Sequence, residues 1–153
     1  MIRYSAAVAA DVPDLHAMLQ ALSDHDGGDY PVGSVQSLLL HGFGPRPLFH
    51  AALARKDDAA VGMVIYYPDY STHRGQPGVY VQDIFVANTA RGAGVGRGLL
   101  AFTLRTQDWD ARYVTLGFKP DNTVATEFYE RLGFSARGYQ VMILAGVALT
   151  DLQ

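Results

Sequence analysis

The chain has 153 residues, 49% of them hydrophobic, no cysteine and a formal net charge of −3. That length suits one domain with a full core, and the apolar content excludes general disorder. The missing cysteines exclude disulfides, thiolate zinc sites and thiol nucleophiles, and the mild acidity favours a cationic partner over nucleic acid. No apolar run is long enough to cross a bilayer, and the apolar start of MIRYSAAVAAD is stopped by Asp11, too soon for a secretory signal. A soluble cytoplasmic protein is the expectation.

Ile2–Ser5 is expected as a first strand. Asp11-Val12-Pro13-Asp14 reads as a helix start, with Asp11 as cap and Pro13 in the first turn. Leu15, Leu19 and Leu22 then give one apolar face as far as Ser23. Asp24–Asp29 is a loop dense in carboxylates, either a solvated turn or an acidic lip that attracts an amine; Asp26 is its central acid. Ser34–His41 is a second short helix. Phe49–Arg55 and Ala60–Tyr67 read as a hairpin turning at Lys56-Asp57-Asp58. Tyr66–Gly75 reads as an aromatic loop, with Tyr70 a candidate wall of an acceptor pocket and His73 a candidate base or an ordinary loop histidine.

Val79–Leu100, VYVQDIFVANTARGAGVGRGLL, organises the rest. Its strand, Val79–Val86, is apolar and β-branched apart from Gln82 and Asp83, a pair that is costly to bury unless satisfied or used. A loop with Gly92, Gly94, Gly96 and Gly98 follows, with Arg91 and Arg97 among them, and opens a helix lasting to about Asp108. Successive N–H groups and a helix dipole at such a junction make an anion site. A phosphate-binding P-loop needs lysine and then Ser or Thr at the helix start, but Gly96 is followed by Arg97-Gly98. A dinucleotide fingerprint needs G-x-G-x-x-G, but the third position is Arg97 or Leu99. What remains is Arg91-x-x-Gly94-x-Gly96.

Beyond it, Arg112–Gly117, including Thr115, is expected as a strand. Thr123–Leu132 is expected as a helix capped by Asn122 or Thr123 and ended by Gly133. Phe134–Arg137 and Tyr139–Ala145 are expected as the last strands. The pattern is one mixed α/β domain over residues 1–153.

At Arg91-Gly92-Ala93-Gly94-Val95-Gly96 the chain resembles the GNAT superfamily of N-acetyltransferases, whose pyrophosphate signature is Arg/Gln-x-x-Gly-x-Gly/Ala. The resemblance continues through Asn122, Ala125, Phe128-Tyr129 and Leu132-Gly133-Phe134. Tyr70-Ser71-Thr72, Gly75, Pro77-Gly78 and Tyr80–Val86 are similar to the diamine (spermidine/spermine) acetyltransferase branch. That branch usually carries Leu-Glu-Asp before the aromatic; Gln82 stands here where that Glu does.

The resemblance implies a GNAT fold, acetyl-CoA, direct acetyl transfer to an amine, and a homodimer. It implies cofactor contacts from Ile84, Phe85, Val86, the run Arg91, Gly92, Ala93, Gly94, Val95, Gly96 and Arg97, and from Asn122, Ala125 and Tyr129. A backbone N–H of Ile84, Phe85 or Val86 is the implied oxyanion donor. Gln82, Asp83, Asp26, Tyr70 and Thr115 are the candidate acceptor contacts, for a polyamine, diamine or lysine-like amine. An alkyl ammonium of pKa ~10.4 is neutral about once in 10³ at pH 7, so deprotonation is worth roughly 4 kcal/mol. Asp83 can take that proton through water, anchor the amine, or make a structural hydrogen bond. Tyr129 matches the family's acid for the departing thiolate. A non-catalytic acyl-CoA-binding module and a protein or peptide acetyltransferase are the alternative readings.

Overall fold

The computed structural model describes residues Met1–Gln153. The chain forms two compact units, Met1–Gly117 and Phe118–Gln153.

In the first unit the elements run β1 (Ile2–Ala6), α1 (Val12–His25), α2 (Val35–Phe43), β2 (His50–Lys56), β3 (Ala59–Ser71), β4 (Gln76–Val86), α3 (Val95–Thr106) and β5 (Val114–Leu116). The strands form one sheet in the order β1-β2-β3-β4-β5. The first three pairings are antiparallel and β4–β5 is parallel. Fold class is thus as expected, a mixed α/β sheet.

Alternation along the strands sorts their side chains between two faces. Leu53, Met63 and Ile65 meet Leu15 and Met18 of α1, with Phe43, Phe49 and Phe85 packed around them. Gly62, between Val61 and Met63, takes the other face. A Cβ there would lie 3.1 Å from Val95 Cγ1 and 3.3 Å from Leu99 Cδ1. Helix α3 therefore rests directly on the sheet at Gly62, burying Val95, Leu99 and Thr103 at a spacing of four. Asp11 precedes α1 as expected, but its carboxylate makes no cap bond to the helix. It accepts from Val8 N at 2.8 Å and from Arg55 at 2.8 Å, and Arg55 also reaches Asp14 at 2.8 Å.

Two boundaries differ from the sequence reading. Helix α1 continues to His25, so only the last part of the acidic stretch is loop. Of the expected loop Tyr66–Gly75 only residues 72–75 form a turn: β3 continues to Ser71, pairing through Ser71↔Gln76, so Tyr70 lies on a strand opposite Pro77. Within it Pro68 cannot donate to a ladder, which a central strand does not tolerate. The β2 pairing, however, stops at His50↔Tyr66, so beyond Tyr66 one side of β3 is a free edge and Pro68 disturbs no ladder.

In the second unit, α4 spans Thr123–Arg131 with Asn122 as cap, its Oδ1 accepting from Ala125 N at 3.0 Å. Gly133 follows at φ 96°, the left-handed stop that glycine takes without strain. The expected strands Phe134–Arg137 and Tyr139–Ala145 do not form; the chain there is without a ladder until α5 (Gly146–Leu152), where no element was expected. A hairpin needs at least a two-residue turn, and only Gly138 separates the two runs. The second run stays open to solvent, with Val141 92%, Met142 86% and Ile143 91% exposed.

Candidate active site

The sequence signal in β4 has a backbone cause. Ile65 pairs with Asp83 and Tyr66 with Val81, so Gln82 is an extra residue with no partner on β3. This is a β-bulge, which locally breaks the alternation of side chains. Gln82 joins Tyr67, whose Oη donates to Gln82 Oε1 at 3.2 Å. Asp83 is opposite Ile65, and Ile65 and Tyr67, two apart, share the α1 face. One inserted residue thus places neighbouring polar side chains on the same face.

Around them stand Tyr80, stacked on Tyr67 with centroids 5.1 Å apart, and Thr115, opposite Tyr80 in the β4–β5 ladder. Asp26, at the C-cap of α1, lies close enough for its charge to act on Asp83. Burial pushes the Asp83 carboxyl above its ordinary range, and the charge of Asp26 pushes it further. Burial likewise raises the Tyr67 phenol, with Tyr80, Asp69 and Asp83 contributing. Such a carboxylate is a stronger base than a solvated one, and two acids that close favour a cation near them.

Beside this group β4 loses its neighbour. Strand β5 pairs only with Val79, Tyr80 and Val81, so from Gln82 to Val86 the outer edge of β4 has no strand alongside it. The implied oxyanion donors, Ile84, Phe85 and Val86, lie on this open edge. The bulge itself sits two residues before Ile84.

The chain then passes from Val86 to Arg91, whose Nε donates back to Val86 O at 3.2 Å. Gly94 caps α3 with φ 75°, and no side chain caps the helix. Gly92 is also left-handed, at φ 78°, and a Cβ on either glycine would meet nothing within 4 Å. The first bond back into the helix is Gly98 N to Gly94 O at 2.9 Å. The N–H groups of Val95, Gly96 and Arg97 therefore have no carbonyl within the helix to meet. Bare donors, a dipole end, open space and the exposed Arg97 fit a pyrophosphate.

Tyr70 is not part of this group. It is five residues along β3 from Ile65, about 16 Å away at the usual rise of a strand. His73 is further still, in the turn joining β3 to β4. Tyr80 was not singled out as an acceptor contact, and Tyr67 only as part of the aromatic stretch Tyr66–Tyr70. Their signal was the spacing Tyr80-x-Gln82, which puts both on one face once Tyr67 is known to lie on a strand.

In the second unit Tyr129 is 8% exposed. Its ring stacks on Phe118 at 5.2 Å and meets Phe128 and Phe134 edge-on. Burial pushes its phenol up to about 12, so it stays protonated across the physiological range. Asn122 and Ala125 are joined by the cap bond of α4.

The bulged strand β4 thus runs through a short loop into the glycine-capped helix α3. The sequence pattern of the Acetyltransferase (GNAT) family matches residues 15–134, and the chain belongs to that family. It is an N-acetyltransferase resembling the polyamine branch. Mouse thialysine N-epsilon-acetyltransferase is 29% identical over 94% of this chain and 97% of its own length. Human spermidine/spermine N(1)-acetyltransferase-like protein 1 is 28% identical over 61% of this chain and 14% of its own length. The solved aminoglycoside N-acetyltransferase AAC(6')-Iy, in complex with CoA, shares the fold at TM-score 0.75 and 19% identity, covering 96% of this chain and 95% of that one. No helix is long and apolar enough to cross a membrane.

Proposed function

We propose that the chain transfers acetyl from acetyl-CoA directly to the primary amine of a small cationic acceptor, of the polyamine, diamine or lysine-like kind. The observation that carries this reading is the half-buried Asp83, raised by burial and by Asp26, on a bulge beside the open edge of β4. The relatives named for thialysine and for spermidine/spermine support an alkyl amine as acceptor.

Acetyl-CoA supplies the acetyl group as an activated thioester. The bare N–H groups at the start of α3, with Arg91 and Arg97, would hold its pyrophosphate. Asp26 and Asp83 draw the ammonium in by charge. Asp83, directly or through a water, accepts the proton that the amine must lose before its lone pair can attack. A backbone N–H among Ile84, Phe85 and Val86 donates to the carbonyl oxygen as negative charge develops on it. Tyr129, protonated at every working pH, is the proposed donor to the departing sulfur. Gln82 and Thr115 are proposed acceptor contacts.

A homodimer belongs to the same proposal; the exposed apolar run at Val141, Met142 and Ile143 supports a covering partner. Sedimentation of wild type beside Ile143→Asp tests it, a dimer that the charge dissociates being the expected result.

The deciding experiment is thiol release from acetyl-CoA against diamines, polyamines, amino acids and aminoglycosides. Release that depends on an added amine supports the reading. Tight CoA binding in calorimetry with no release for any amine or peptide would establish a binding module instead.

A further inference from the structure

Gln82 stands beside acids: Asp83 adjoins it, and the charge of Asp26, at the end of α1, acts on Asp83. A neutral amide adds nothing to their attraction for a cation. Its orientation gives it a different use.

An amide has one acceptor end and one donor end. Tyr67 Oη donates to Gln82 Oε1 at 3.2 Å, so the acceptor end is engaged. Tyr67 is itself held, its ring stacked on Tyr80 at an interplanar angle of 23°. The Nε2 end meets no acceptor within the protein. Gln82 is exposed, so its two N–H donors open to the same face as Asp83. An ammonium group offers only donors and cannot use them. An oxygen with a lone pair can.

We infer that Gln82, fixed by Tyr67, selects acceptors that carry a lone-pair oxygen, a carboxylate or hydroxyl, a few bonds from the amine. This rests on the acetyltransfer reading of the site and narrows its substrate class. Plain diamines and polyamines, whose polar groups are all protonated nitrogens, leave Nε2 without a partner. Tyr67 acts as a positioning residue: without its hydroxyl the amide can turn and present its oxygen to an ammonium.

The test uses two matched pairs that differ by the oxygen-bearing group alone. Lysine is compared with 1,5-diaminopentane for a carboxylate, and 1,3-diamino-2-propanol with 1,3-diaminopropane for a hydroxyl. The readout is kcat/KM from thiol release with the full chain. At least one pair is expected to favour the oxygen-bearing member by about tenfold, the worth of one well-made hydrogen bond. Which pair does so distinguishes carboxylate from hydroxyl. Gln82→Glu, which keeps the acceptor for Tyr67 but turns a carboxylate outward, is expected to reverse that preference, and Tyr67→Phe to reduce it to within about twofold of unity. Melting temperature checks that each variant is folded, and either folded variant suffices. Ratios near one for both pairs in the wild type, or a preference that a folded variant leaves unchanged, would overturn the inference while leaving acetyl transfer intact. No release with any of the four amines, or with any other amine, would overturn the transfer reading and this inference with it.

Discussion

Asp83→Asn should make the protein more stable and less active at the same time. Burial first, and then Asp26, raises the folded-state pKa of Asp83 above its ordinary value. The unfolded chain loses this proton near pH ~3.9, the folded chain only at higher pH. Between the two values the folded state holds the extra proton, so stability falls as pH rises through that window. Above both values the folded state carries the whole penalty, about 1.4 kcal/mol for each pH unit separating the two pKa values. Asparagine has nearly the same shape and no charge, so it removes the penalty. For a chain of this size each kcal/mol moves the melting temperature by about 2–4 °C. Thermal unfolding followed at pH 7.5 should show a rise of that order, shrinking toward zero as the pH approaches ~4. Steady-state kinetics on the same variant separate the roles. A general base costs about 10²–10⁴ in kcat with KM little changed. An amine anchor raises KM instead. A variant less stable than wild type at pH 7.5, with kcat and KM both within twofold, would refute the reasoning and leave Asp83 as a structural hydrogen-bonding group.

The other predictions concern the helix start and the second unit. Gly94→Ala places a Cβ at φ 75° facing open space, so strain of about 1–2 kcal/mol and no clash are expected. The KM for acetyl-CoA should rise by about tenfold with kcat nearly kept, checked by urea titration and initial rates. Gly62→Val drives side-chain atoms into Val95 and Leu99 and should cost about 1–3 kcal/mol in urea unfolding, since the helix must lift from the sheet. Tyr129→Phe keeps the ring packing, so its melting temperature should stay within about 2 °C of wild type while kcat falls about 10²–10⁴-fold. Because burial pushes this phenol up to about 12, its ionisation should leave no alkaline limb in the rate profile below pH ~10. Full activity of the folded variant would remove Tyr129 from the chemistry.

Much of the framework could be read from the chain because its signals are local. The start of α1 at Pro13, the hairpin at Asp57-Asp58, the glycine-capped α3 and the Asn122 cap of α4 each depend on a few adjacent residues. Pairing is not local. Tyr66–Gly75 looked like a loop because it is rich in tyrosines and polar residues, and only the early end of β2 explains why a strand with Pro68 runs there to Ser71. Tyr139–Ala145 looked like a strand because it is apolar and β-branched, but composition supplies no ladder partner. The same holds for the site. Gln82 and Asp83 stood out by type, and Asp26 by its acidic surroundings. Tyr67 and Tyr80 did not, because their relation to Gln82 depends on the register of β3 against β4. Tyr70 was misplaced for the same reason, by roughly the length of half a strand.

The bulge links these observations. In a regular strand adjacent residues face opposite ways, so Gln82 and Asp83 would divide between the α1 face and the α3 face. The α3 face is where Gly62 admits the helix at van der Waals distance, with no room for an unpaired amide or carboxylate. Inserting Gln82 keeps both polar groups off that face, and the strand then regains its register with Ile84, Phe85 and Val86 opposite Val64, Met63 and Gly62. Elsewhere the interior is nearly satisfied, and the buried hydroxyl of Thr103 lies within reach of the Tyr66 hydroxyl. Unmet polar demand is concentrated instead along β4, in the carboxyl of Asp83, the outward donors of Gln82, the open edge to Val86 and the bare N–H groups beginning α3. The extra residue in β4 is what makes this open line of polar groups compatible with a packed helix on the other side of the sheet.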